Sequence, residues 1–229
     1  MSIGPGDETP FHDDAAHAVM ITLEPKPRDL GGGFFVRRAL PAIEKRMVGP
    51  FIFWDEFGPA RFAAGEGLDV RPHPHINLAT VTYLFEGEIF HRDTLGSAQA
   101  ISPGDVNWMN AGRGIAHSER TRQQLRASGS PIAGIQSWVA LPEQHEESEP
   151  FFKHHAQAEL PVIEEGGKRA RLVAGSLWGM VSPVKTYSEM FYADVQLEQG
   201  AKAPLDAEHE ERGLYLVSGE IEIAGDRFE

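Results

Sequence analysis

Short apolar runs, each broken after about 8–12 residues by Gly, Pro, Asp or Asn, make up most of this chain from Val19 onward. The clearest of these runs are FFVRRAL at 34–40, PFIFWDEFG at 50–58, ATVTYLFEG at 79–87, DVNWMN at 105–110 and IAGIQSWVALP at 132–142. Such spacing is typical of the strands of a β-sandwich or β-barrel. We therefore predict an all-β fold with few short helices, for which the windows 143–149 and 154–159 are candidates.

Composition narrows the classes of protein further. The chain has 24 Gly and 16 Pro among 229 residues, as expected for many turns, and no Cys, which excludes disulfides and thiolate metal sites. Its net charge of −13 argues against binding to nucleic acid, because that needs a basic surface. No apolar stretch reaches 18 residues and the first residues carry acids instead of a signal sequence, so we expect a cytoplasmic protein without a membrane span.

An internal repeat predicts two tandem β-domains. TYLFEGEI at 82–89 and LYLVSGEI at 214–221 align without a gap, and both have the pattern of a strand–turn–strand hairpin. The charged run at 143–149 has the composition of a linker. We therefore predict a flexible acidic arm (residues 1–18), an N-terminal barrel (19–142), and a linker with a C-terminal domain (143–229).

Two histidine pairs have the spacing of metal ligands. Proline favours an extended backbone in His73-Pro74-His75, and residues two apart in an extended chain face the same side. His117-Ser118-Glu119 has the same spacing. On facing strands these residues would surround one point with three imidazoles and one carboxylate, a set that suits a divalent transition metal. The resulting charge of about +1 favours an anionic ligand such as a phenolate. The alternative is that these histidines are surface or hydrogen-bonded structural residues.

Other polar residues have ordinary structural interpretations. Gly112-Arg113-Gly114 has the pattern of a tight turn, although Arg113 is also a candidate for orienting the site. Asp105 is expected to cap its own turn, and His154-His155 to be solvated beside the linker. Phe53, Trp54, Phe85, Phe90 and Trp108 are expected in the core, with the option that some form the wall of a pocket for a flat ligand.

Longer motifs resemble those of the pirin family of the cupin superfamily. The resemblance rests on VRPHPHINLATVTYLFEGEIFHRDTLGS (70–97) and PGDVNWMNAGRGIAHSE (103–119), flanked by PFIFWDEFGPARF (50–62) and IQSWVALPEQHEESEPFF (135–152). It implies a bicupin with two jelly-roll barrels and one metal, usually iron, in the N-terminal barrel. The chain thus resembles a bacterial pirin-like protein.

The resemblance also implies a ligand set and two kinds of function. Carried over by motif, the metal ligands are His73, His75, His117 and Glu119. Some relatives open the flavonol quercetin with dioxygen, so a quercetin 2,3-dioxygenase-type oxidoreductase with a small phenolic substrate is one expectation, with Glu119 as the general base. The other is an iron-dependent, redox-sensing regulator that binds a partner protein. Fe(II) is the expected ion, with Mn, Ni, Cu or Zn as alternatives. Many relatives carry a glutamate where this chain has Ala79, so this chain lacks one residue that could serve as an extra base in flavonol cleavage.

The C-terminal domain is expected to be metal-free and incomplete. Shifted by the repeat offset, the first histidine pair falls on Leu205 and Ala207, and the second pair falls beyond Glu229. His209 is then the nearest histidine, and we expect it in a solvated turn. An unfinished barrel leaves strand edges that tend to pair with other segments, so we expect residues 19–40 or a second subunit to cover them.

Overall fold

The computed structural model describes residues 19–29, 34–205 and 208–229. The arm predicted at 1–18 lies outside these residues. The described chain forms two units, one within residues 24–212 and one made of residues 19–23 with 213–229. A domain boundary between 142 and 143 stays a prediction. Among the described residues no helix is long and apolar enough to cross a bilayer.

Strands dominate the described residues. Strands β1 to β6 span Lys26–Asp29, Phe35–Leu40, Phe51–Phe62, Asp69–His75, Leu78–Gly87 and Ile89–Asp93. Strands β7 to β11 span Ala98–Ile101, Val106–Asn110, Ile115–Arg120, Ser130–Ala140 and Phe151–His155. Strands β12 to β17 span Val162–Glu165, Lys168–Leu177, Met180–Val181, Phe191–Leu197, Ile221–Ile223 and Asp226–Phe228. One short helix, α1, covers Gln123–Ser128, and single 3₁₀ turns cover Glu143–His145 and Gln157–Glu159. The prediction of an all-β fold with few helices is confirmed.

Two antiparallel sheets build the part of the larger unit that positions the candidate site. One has seven strands in the order β1-β2-β3-β10-β5-β8-β11, and the other has four in the order β4-β9-β6-β7. Apolar side chains from both sheets meet in one buried cluster, formed by Val36, Phe57, Leu68, Leu84, Ile89, Ile101 and Ile132. Strand β8 is buried at every residue, because it lies between β5 and β11 inside the larger sheet. The sheets therefore pack face to face around an apolar interior.

The segment after the predicted linker returns to the first sheet. Strand β11 pairs with β8, with Phe152 opposite Met109 and His155 opposite Val106. Residues 154 and 155 are thus in a strand, and the 3₁₀ turn begins only at Gln157. The prediction of a helix over 154–159 is wrong, because the first two of these residues pair with β8 in the sheet.

The chain after β11 forms smaller sheets. Strand β13 pairs with β12, β14 and β15. Strands β1 and β2 add to the edge of the seven-stranded sheet through β3. That residues 19–40 or a second subunit cover the C-terminal strand edges stays a prediction.

In the smaller unit, β16 and β17 form a hairpin. The two repeat copies agree at their turns, where Gly87 and Gly219 both have a φ of +87°. They differ before the turn, because residues 214–217 are not in a strand. The side chain of Leu214 is 54% exposed, so this segment lacks the burial that fixes a strand in a sheet.

Candidate metal centre

Three histidines converge on one face of the four-stranded sheet. His73 on β4 lies opposite His117 on β9, and His75 follows two residues later on the same side of β4. The Nε2 atom of His117 lies 3.1 Å from Nε2 of His73 and 3.1 Å from Nε2 of His75. This is the group of potential metal ligands found among the described residues, with ligand atoms within 4.8 Å of one another. HPH and the first residue of HSE thus lie close together, and their role as metal ligands stays a prediction.

The distances between these nitrogens fit a shared ion. Two nitrogens bound to one ion at right angles, each about 2.1 Å from it, lie about 3.0 Å apart. Nδ1 of His73 lies 2.9 Å from the carbonyl oxygen of Arg71, to which its N–H donates. Nε2 of His73 then carries a lone pair that points at the neighbouring rings, an arrangement that a cation stabilises.

Burial keeps two of the rings uncharged. His117 is 3% exposed, and burial, followed by the neighbouring histidines, lowers its pKa to about 2. The pKa of His75 is lowered to about 4, again mainly by burial and then by His73. Metal ions bind the neutral form of imidazole. His75 and His117 are therefore held in the protonation state that metal binding would require.

Glu119 lies on the same face of β9 as His117 but outside the three-histidine cluster. Its Oε1 atom is 3.3 Å from the hydroxyl of Thr82, which lies on β5 of the facing sheet. Burial raises the pKa of Glu119, while His73 and the hydrogen bond from Thr82 oppose this change. Glu119 as a fourth ligand and as the general base stays a prediction.

Sequence reasoning missed a second pair of residues beside the cluster, His91 and Asp93 on β6. Nδ1 of His91 is 3.4 Å from Nδ1 of His117, and Nε2 of His91 is 2.9 Å from Oδ2 of Asp93. In the pairing of β6 with β9, His91 lies opposite Glu119 and Asp93 opposite His117. The signal was present in the sequence, because His91-Arg92-Asp93 has the same spacing of two as the HPH and HSE motifs.

Aromatic rings border the cluster on the side of the seven-stranded sheet. The ring of Trp138 on β10 meets that of His75 edge-on, with centroids 5.1 Å apart. Phe53 on β3 stacks on Trp138 at 4.1 Å, and the guanidinium of Arg38 lies 4.4 Å from the centre of the Phe53 ring. Trp138 and Phe53 are both partly exposed, as a wall of a pocket requires.

Arg113 and Asp105, which the sequence analysis also singled out, have partners outside the three histidines. Arg113 is exposed and pairs with Glu149, and its role in orienting the site stays a prediction. Asp105 accepts hydrogen bonds from the backbone of Ser102 and Gln157, which confirms its role in a turn.

The expectation that His154-His155 is solvated is wrong. His155 is buried beside Glu159, and His154 bonds Asn107 through Nδ1. Both are held by the pairing of β11 with β8. In the C-terminal half, His209 contacts the carbonyl oxygen of Ser176.

The five aromatic residues flagged in the sequence divide between core and wall. Trp108 is buried, and Trp54, Phe85 and Phe90 are partly buried. Of the five, Phe53 lies in the row of rings that leads to His75.

The antiparallel two-sheet fold, with imidazoles converging between the sheets, defines the chain as a cupin. The family model described as Pirin matches residues 33–139. A pirin-like protein of Caulobacter vibrioides is 51% identical over 208 residues, which cover 90% of this chain and 72% of that protein. The chain therefore belongs to the pirin family.

Two further relatives are named after an enzymatic activity. A Pseudomonas aeruginosa protein called "putative quercetin 2,3-dioxygenase" is 40% identical over 87% of this chain and 62% of its own length. The crystal structure of quercetin 2,3-dioxygenase from Acinetobacter baumannii is similar with a TM-score of 0.71 and 38% identity. That match covers 76% of this chain and 56% of the Acinetobacter protein, so the present chain spans little more than half of its length.

Proposed function

We propose that this chain holds one Fe(II) ion through His73, His75, His117 and Glu119 and acts as a dioxygenase on flavonol-type phenols such as quercetin. The observation that carries the proposal is the convergence of three Nε2 atoms, with two separations of 3.1 Å, between buried sheets. The names of the Pseudomonas and Acinetobacter relatives support the choice of substrate class.

A bound divalent ion would act as a Lewis acid toward a phenol oxygen and would bring substrate and dioxygen together. The chain's own residues supply the remaining functions. Trp138 and Phe53 offer aromatic surface beside His75, against which the rings of a flat phenol can stack. Glu119, held by Thr82, accepts the proton of the substrate hydroxyl. His75 and His117 are 8% and 3% exposed, and this burial limits the access of water to the reacting atoms.

The overall reaction is balanced by dioxygen alone. Both oxygen atoms enter the cleaved product, and one ring carbon of the flavonol leaves as carbon monoxide. Dioxygen takes up all the electrons that the flavonol loses, so no further oxidant or reductant is needed. Consumption of dioxygen and of quercetin in equal amounts, with release of carbon monoxide, is the expected stoichiometry.

Anaerobic loading with Fe(II), followed by oxygen-uptake measurements with quercetin and a panel of other phenols, tests the proposal. Elemental analysis should find one ion per chain. The variant His117→Ala should lose most of the metal and the activity, whereas His209→Ala, a histidine in the C-terminal half, should lose neither. An unchanged metal content in His117→Ala would contradict the metal centre. Oxygen uptake unaffected by any phenol, together with Fe(III)-dependent binding of a protein, would contradict the dioxygenase and favour the regulatory alternative.

A further inference from the structure

A buried chain of hydrogen-bonding groups runs from His117 to a turn of the four-stranded sheet. It passes from Nδ1 of His117 to Nδ1 of His91, at 3.4 Å, and from Nε2 of His91 to Oδ2 of Asp93, at 2.9 Å. The other carboxylate oxygen of Asp93 accepts the backbone N–H groups of Leu95 and Ser97, at 2.9 and 3.0 Å.

The ring of His91, which lies between His117 and Asp93, is also held by apolar packing. His91 is 2% exposed, and Phe152 stacks on it with ring centroids 4.2 Å apart and an interplanar angle of 14°. Phe152 is itself packed against Met109, Ala111 and Ile115. His91 is therefore held in place by apolar packing as well as by its two polar neighbours.

The contacts determine where the protons lie on the two rings. A carboxylate can only accept, so Nε2 of His91 must donate to Asp93. Nδ1 of neutral His91 then carries a lone pair and can only accept from the Nδ1–H of His117. The remaining nitrogen of His117, Nε2, is left with its lone pair directed at His73 and His75.

We infer that Asp93 and His91 are positioning residues that hold His117 in the tautomer able to bind a metal through Nε2. The inference rests on the proposed function, since it takes His117 to be a metal ligand. Groups that orient a ligand histidine through its second nitrogen typically change metal affinity by about 10–100-fold when they are replaced. Here the orientation is transmitted through a second imidazole.

The variant Asp93→Asn reverses the direction in which hydrogen bonds are donated between these residues, with little change in side-chain shape. The amide oxygen of Asn can still accept from Leu95 and Ser97, which turns its NH₂ group toward Nε2 of His91. His91 then becomes the acceptor at Nε2 and the donor at Nδ1, which forces His117 to accept at Nδ1 and to carry its proton on Nε2. Replacing an orienting carboxylate by an amide is known to impose the wrong tautomer on an imidazole in this way.

Two replacements of His91 separate orientation from packing. The variant His91→Leu fills the same space but makes no hydrogen bond to His117 or Asp93. In His91→Gln the side-chain oxygen can accept from His117 and the NH₂ group can donate to Asp93, which restores the same direction. Asp105→Asn is the matched control, because Asp105 also caps a turn by accepting two backbone N–H groups but contacts His154 instead of the cluster.

The experiment measures Ni²⁺ affinity by chelator competition, and the histidine tautomers of the metal-free protein by ¹⁵N NMR. We expect about 10–100-fold weaker binding for Asp93→Asn and His91→Leu, and near-normal binding for His91→Gln and Asp105→Asn. Wild-type His117 should carry its proton on Nδ1, and the Asp93→Asn variant should carry it on Nε2. A purely structural role would leave the tautomers unchanged and would not be rescued by Gln.

Two results overturn the inference: a wild-type His117 protonated on Nε2, or Asp93→Asn binding Ni²⁺ as tightly as wild type. A wild-type protein that binds no Ni²⁺, Zn²⁺ or Fe(II) but has the expected tautomers would refute the proposed metal centre, and would still show that Asp93 and His91 fix the tautomer of His117. The NMR measurement on wild type gives this answer even if a variant fails to fold.

Discussion

The ring of Trp138 stands at 73° to that of His75, with the two centroids 5.1 Å apart. Trp138 belongs to the seven-stranded sheet and His75 to the four-stranded sheet, so this contact joins the two layers at the candidate metal centre. Across β3 and β10 the row continues through Phe53, which lies directly opposite Trp138. The same side chains therefore close the interior and present a flat aromatic surface beside the imidazoles.

Replacing Trp138 should weaken substrate binding more than metal binding. Aromatic stacking contributes about 0.5–1.5 kcal/mol, so Trp138→Ala should raise KM for a flavonol by about twofold to tenfold. Metal content should stay near one ion per chain, because none of the clustered nitrogens is removed. Steady-state kinetics with Fe(II)-loaded protein measure the change in KM. Trp138→Phe keeps an aromatic ring, so its KM should lie between those of wild type and Trp138→Ala. A normal KM in Trp138→Ala would show that substrate does not contact this wall.

Glu119 allows the ligand and the base roles to be separated. The variant Glu119→Gln keeps an oxygen that can accept from Thr82 but removes the group that takes up a proton. General-base catalysis contributes about 10²–10⁴-fold to the rate, so turnover should fall by that factor. The three histidines should still bind metal, but with lower affinity than in the presence of Glu119. Activity measured at saturating metal, beside metal affinity, distinguishes the two effects. Full turnover at saturating metal would exclude Glu119 as the base.

Local spacing in the sequence predicted which side chains share a face, and no more than that. The i, i+2 pattern placed His73 with His75 and His117 with Glu119, because an extended strand turns alternate residues to one side. His91 and Asp93 have the same spacing, but nothing in the sequence alone shows that they lie beside the three histidines.

The contacts between strands could not be predicted from spacing. His91 lies opposite Glu119 only through the pairing of β6 with β9, and Phe152 reaches His91 only because β11 returns to β8. These pairings join segments tens of residues apart, and their register depends on the whole interior. The same limit explains His155, which was expected in solvent and is buried because its strand, β11, pairs with β8.

A buried polar cluster on the other side of the seven-stranded sheet should make stability depend on alkaline pH. The hydroxyl of Tyr83 donates to Asp194 at 2.8 Å and accepts from Arg171 at 3.2 Å. Burial, followed by the charge of Asp194, raises the pKa of Tyr83 above its usual value, and burial also raises that of Tyr192. The folded state therefore holds these protons more tightly than the unfolded state does.

It follows that the stability contributed by both tyrosines is complete below about pH 10 and is lost as pH rises toward their folded-state pKa values. Above about pH 10 the free energy of unfolding should fall by up to about 1.4 kcal/mol per pH unit for each tyrosine. Urea unfolding at several pH values measures the slope. Tyr83→Phe should be less stable at neutral pH by about 1–3 kcal/mol, because Asp194 and Arg171 lose a buried partner, and it should show a smaller slope. An equal slope would contradict the assignment.

Gly87, at the turn between β5 and β6, should tolerate no side chain. It has a φ of +87°, and a Cβ placed there would lie 2.2 Å from the carbonyl oxygen of Pro131, part of the backbone of β10. Gly96 has a φ of +89° but nothing within 4 Å of such a Cβ, so it is the matched control. Gly96→Ala should cost about 1–2 kcal/mol from backbone strain alone. Gly87→Ala should cost about 3 kcal/mol or more, because β10 of the seven-stranded sheet must also move. Urea unfolding followed by tryptophan fluorescence compares the two, and equal midpoints would show that β10 does not approach Gly87 this closely.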